Sequence, residues 1–184
     1  LSLEKEGVIA PLDGPVSFEV RPIRDGVLEG VNYATFNNYF ESVKTLLNES
    51  AAYEDALSMA DKKLSIFERA LYRTNTDPQA ILSLITEAKK ALAGLRKQID
   101  GSPSKNIIGE RNPASWQDHL SVAMRGMGTT YGPTPLHKQS LQIAAELLEN
   151  MKAAIKDVAQ EKVPAIEAAL IKAGAPYMSG QGIE

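Results

Sequence analysis

From Asn32 onward, Tyr39, Val43, Leu46, Ser50, Tyr53, Leu57, Ala60, Leu64, Phe67 and Leu71 follow one another at alternating steps of four and three. This is a heptad seam, the spacing that keeps one face of an α-helix turned toward a partner. Only Ser50 among them is polar. Phe36, Phe40 and Leu47 broaden the stripe at its start, which predicts contact with more than one neighbour at that end. A helix is expected from about Tyr33 to Arg73, roughly 60 Å long at about 1.5 Å per residue, with Asn75 and Thr76 ending it.

Asp77-Pro78 is a helix start signal, an N-cap residue followed by proline at the first helical position. The second helix carries Ile81, Ile85, Ala88, Leu92, Leu95 and Ile99, and Gly101 and Pro103 stop it. The link from Arg73 to Asp77 is so short that the two helices are expected to be antiparallel neighbours. Residues 101–113 read as a polar loop. A short third helix, about Ala114 to Met127, sets Trp116, Leu120, Ala123 and Met127 along one side. Tyr131-Gly132-Pro133 is a turn, and Thr134-Pro135 repeats the start signal. The last helix carries Leu141, Ala144, Leu148, Met151, Ile155 and Val158. Pro164 is expected to kink it near Gln160 rather than end it, because Val163, Ile166, Leu170 and Ala173 resume the stripe in phase and Gly174 is the better stop.

The first thirty residues lack this period. Gly7, Pro11, Gly14, Pro15, Pro22, Gly26 and Gly30 punctuate them, and Val16-Ser17-Phe18-Glu19-Val20 alternates as a half-buried strand does. Val8-Ile9-Ala10 is expected to pair with it across a Pro11 to Pro15 turn. A lone hairpin is marginal in water, so it reads as the end of a β domain lying upstream. The fold class is therefore mainly α: an antiparallel bundle of three long helices plus one short helix, with a short N-terminal β-hairpin or strand remnant. The expected divisions are 1–31 for the β end and linker, 32–178 for the helical bundle and 179–184 for a tail. The sequence opens at Leu1 rather than Met and is read as part of a longer protein.

Charge adds little chemistry. The net charge is -3, and basic residues alternate with acidic ones, as in Asp61-Lys62-Lys63 and Glu87-Ala88-Lys89-Lys90, so no nucleic-acid surface is expected. There is no cysteine, and no apolar run approaches the ~20 residues that span a bilayer. His119 and His137 have no second ligand at metal spacing. No glutamate is followed three residues later by histidine, which excludes a di-iron bundle of the Glu-x-x-His type. Glu54 and Asp61, or Glu146 and Glu149, are acids that a glycosidase would need in pairs, but a leucine-filled bundle offers no cleft for a sugar. Gly126-Met127-Gly128 follows a helix rather than a strand and lacks the lysine of a phosphate loop, so it reads as a helix terminus. Trp116, Tyr131 and Tyr177 stand at helix ends, where aromatic rings cap a core. No catalytic, cofactor-binding or metal residue is assigned, and no cofactor is expected.

Three stretches are more distinctive. They are Leu12-Asp13-Gly14-Pro15-Val16-Ser17-Phe18-Glu19-Val20 before Arg24-Asp25-Gly26-Val27-Leu28-Glu29-Gly30, then Tyr131 to Ala144, then Val163-Pro164-Ala165-Ile166-Glu167 leading to Ala173-Gly174-Ala175-Pro176-Tyr177. In this order and spacing they resemble the C-terminal region of sortilin-like, BNR-repeat "glycosyl hydrolase" proteins of the Bacteroidetes type, over essentially the whole chain. The resemblance implies a parent with a large β-propeller, a small β-sandwich segment and a helical tail, exported to the periplasm, the cell surface or the medium. It implies that any ligand site of the parent sits on the propeller, so no family residue maps onto this chain. The expected role is a non-catalytic scaffolding or interaction module, packed on the propeller of the same parent chain or paired with a second copy as a homo-oligomer. The rival roles are an accessory part of a glycan-active enzyme, or a groove for a partner helix or peptide.

Overall fold

The computed structural model describes residues 2–5, 8–11, 17–19, 30–74 and 77–179. It divides into two compact units, Leu1–Gly30 and Val31–Glu184. In the first, β1 (Ser2–Lys5) pairs antiparallel with β2 (Val8–Pro11), Leu3 opposite Ala10 and Glu4 opposite Ile9. Among the described residues β2 thus pairs with β1 and not with the strand expected downstream of it. Ser17, Phe18 and Glu19 are exposed and form no strand, while Val16, Val20 and the Leu12 to Pro15 turn lie outside the described residues. Only two residues separate Lys5 from Val8, and closing so short a loop costs less entropy than closing a longer one.

The second unit is mainly helical, with α1 (Tyr33–Leu71), α2 (Gln79–Asp100), α3 (Pro103–Ile107), α4 (Trp116–Arg125), α5 (Pro135–Lys156) and α6 (Val163–Lys172). Asn32 caps α1, its side chain accepting from the Thr35 N–H at 3.1 Å. The expected seam of α1 is buried throughout except at Tyr53, which is half-buried. The residues expected to end this helix, Asn75 and Thr76, lie outside the described residues. The Asp77 carboxylate accepts from the first helical N–H of α2, Gln79, at 3.1 Å. All six seam residues of α2 are buried.

The stretch 101–113 is not wholly loop, since it contains α3. Ser102-Pro103 is the same residue-then-proline start that opens the longer helices, and its five residues bury nothing. The helix expected over 114–127 is shorter, because Ser115 and Asp118 form a capping box that starts it at Trp116. A tight 3₁₀ turn, Gly126–Gly128, then replaces its last residues. Helical backbone, not all of it α, runs from Pro135 to Lys172. Its interruption is a wide π turn at Asp157–Lys162, followed directly by α6 with Pro164 in its first turn. Gly174, at φ 74°, ends α6. Its N–H bonds Ile171 and that of Ala175 bonds Leu170, the paired pattern of a Schellman stop.

Specific contacts set how these helices meet. Going up α2, Lys89 meets Glu68 of α1 and Arg96 meets Glu54, so advancing along one helix retreats along the other. Going up α1, Glu49 meets Lys152 of α5 and Lys63 meets Glu167 of α6, so these advance together. The Trp116 indole N–H, at the start of α4, donates to the Ala144 carbonyl of α5 at 2.9 Å. One apolar core joins α1, α2, α4, α5, the π turn and α6, with Met178 closing one end. Among the described residues, no buried side-chain nitrogen or oxygen lacks a hydrogen-bond partner. No helix among them is long and apolar enough to cross a membrane.

Candidate functional site

Three of the four acids considered from the sequence are held by side chains of their own. Glu54 is held by Arg96 at 2.6 Å, Glu149 by Lys152 at 2.6 Å, and Glu146 accepts from the Gln142 amide at 2.9 Å. Asp61 lines a cleft beside Ser65, Lys89 and Arg96. His119 is half-buried on α4. His137 completes the second capping box, its Nδ1 accepting from the Thr134 N–H at 3.2 Å while its own N–H donates to Thr134 Oγ1 at 3.4 Å. Among the described residues, no three His, Cys, Asp or Glu side chains gather as a metal would require.

Gly126 and Trp116 both belong to packing. A Cβ on Gly126 would stand 2.8 Å from the Tyr39 hydroxyl and 2.9 Å from the His137 Cβ, so the glycine lets the end of α4, the start of α1 and the start of α5 close on one another. Burial pushes the Tyr39 hydroxyl above its ordinary value of 10.0. The N–H and hydroxyl of Ser115 bond the Asp118 carboxylate and lower it below its ordinary value of 3.8. Lys152 is raised, first by its bond to Glu149 and then by that to Glu49. Each shift belongs to a cap, a buried junction or a surface pair.

Two hollows lie along the C-terminal half of α2, one of about 540 Å³ against α1 and one of about 270 Å³ against α5 and the residues leading into α4, and they share Lys97, Gly101 and Ser102. The larger is rimmed by Lys89 and Arg96, both already bonded to α1 carboxylates. Beside the smaller, the Asn112 amide donates to Ser102 O at 3.2 Å and to Asn106 Oδ1 at 2.6 Å, pinning the loop that carries α3. At the tip of that loop Ile107 and Ile108 are exposed. Reading the stretch as a polar loop missed them, although two adjacent isoleucines on no helical seam were the available signal.

A second exposed apolar group lies where α1 and α5 begin. Tyr39 bonds carbonyls of Ala123 and His137 there, and the Val31 side chain lies against Gly132. Around this junction Tyr33 is 65% exposed, Phe40 41%, Tyr131 55% and Leu136 61%. Phe36 and Phe40 pair at 6.5 Å between ring centres. Compared with protein-family models, curated proteins and solved structures, the chain matches none of them.

Proposed function

We propose that this chain is a non-catalytic scaffolding and interaction module, and that its helical unit is an antiparallel bundle of three long helices and one short one. The opposite order of the Lys89–Glu68 and Arg96–Glu54 pairs supports the bundle, as does the length of α1, 39 residues. The observation that carries the functional reading is the apolar end of the helical unit. Tyr33, Phe40, Tyr131 and Leu136 stand exposed around one junction, whereas Glu54, Glu146 and Glu149 are each bonded to a partner of their own. Large apolar side chains grouped at the surface mark contact with another body.

The likeness of residues 131–144 and 163–177 to sortilin-like proteins supplies the body: a β-propeller of the same parent chain, exported from the cytoplasm, with the β1–β2 pair as the end of an intervening β segment. The test is light scattering on the longer protein with and without residues 32–178. Loss of its assembly or its solubility on deletion is expected. A truncated protein that keeps its oligomeric state, solubility and ligand overturns the reading.

A further inference from the structure

We infer that Asp157–Lys162 is a register-correcting turn: one extra residue in the last long helix, held in place by Pro164, that keeps α5 and α6 on the same core. The seam of this helix steps three, four, three through Leu148, Met151, Ile155 and Val158, then five to Val163, then three and four to Ile166 and Leu170. In a uniform α-helix each residue turns about 100°, so a five-residue step in place of four would carry Val163 and everything after it about 100° off the core. Yet Val158 is 0% exposed, Val163 3% and Leu170 0%. The apolar stripe therefore does not resume in phase, as expected from the sequence, but one residue late, and the backbone absorbs the difference.

Two further features fit one extra residue per turn. The Val163 N–H bonds the Val158 carbonyl, five residues back rather than four. Lys162 and Asp157, also five apart, form an ion pair across the same turn. Pro164 explains why the extra residue sits here. In an ordinary α turn its ring would meet the carbonyl four residues back, that of Gln160, and its missing N–H would leave one bond unmade. A wide turn ahead of the proline removes that conflict, and the slip has nowhere else to move without turning Ile155 and Val158, or Val163 and Ile166, away from the core.

The test is a set of variants of the 184-residue chain followed by thermal melting. Deleting Gln160 together with Pro164→Ala gives a continuous α-helix with an unbroken three-four seam, and its Tm is expected within about 4 °C of the parent. Deleting Gln160 alone leaves the proline against a closed α turn, and its Tm falls below that of the combined variant. Deleting Ala145, exposed in the middle of α5, misplaces Leu148, Met151, Ile155 and Val158, and the cooperative transition is lost. Equal damage from the combined variant and from the Ala145 deletion overturns the inference. Equal melting of the Gln160 deletion with and without the proline overturns the part assigned to Pro164.

Discussion

The Tyr39 hydroxyl donates to the Ala123 carbonyl at 2.6 Å, joining the start of α1 to the end of α4 across 84 residues of sequence. The bond satisfies a polar group inside an otherwise apolar junction. Replacing Tyr39 with Phe removes it while keeping the ring, and a loss of about 1 kcal/mol in urea unfolding is expected. The folded state holds the phenolic proton more tightly than the unfolded chain, so this contribution is complete below pH 10.0 and is lost as pH rises through the raised value. The difference between the parent and Tyr39→Phe should therefore narrow above pH 10.0. A difference that widens there contradicts the assignment.

Two glycines should respond in opposite directions to the same methyl group. Gly126→Ala forces a Cβ against Tyr39 and His137, and a loss of about 1–3 kcal/mol is expected from overpacking. Gly94 lies within α2 with nothing inside 4 Å of a Cβ, so Gly94→Ala should gain about 0.5–1 kcal/mol. Denaturant midpoints of the two variants decide this, and a common sign would show that the junction has room to give.

Leu57, at 0% exposure, and Leu92, at 4%, stand at the centres of their seams. Truncating either to Ala should cost about 2–5 kcal/mol. Lys89→Ala removes a partly exposed ion pair with Glu68 and should change stability by less than about 1 kcal/mol. Similar small losses for all three would place the core on another face. Helical circular dichroism in excess chelator should match that without it, since the core is apolar and continuous.

The long helices were legible because burial follows the three-four spacing whatever lies opposite: Leu57, Leu64, Ile85 and Leu92 are buried where their spacing put them. Caps were legible where proline follows a cap residue, as at Thr134-Pro135. Other features depended on partners that spacing does not encode. The pairing of β1 with β2 turned on a two-residue link rather than on alternation. The π turn was hidden because Val163, Ile166 and Leu170 keep the three-four spacing among themselves across Pro164, and only the step from Val158 betrays the added residue. The apolar end was partly legible in Phe36 and Phe40, but Tyr131 and Leu136 join it through folding. Their place follows from the closing of α1, α4 and α5 around Gly126.

In the function proposed above, this exposed end holds the helical unit to another body. Sedimentation velocity on the longer protein tests it most directly, comparing the parent with a variant in which Tyr33, Phe40, Tyr131 and Leu136 are all replaced by Ser. These side chains are 41% to 65% exposed, so the variant should keep its helical circular dichroism. Its sedimentation coefficient should fall as the unit comes away from its neighbour or its second copy. An unchanged coefficient, with the helical signal intact, would contradict the account.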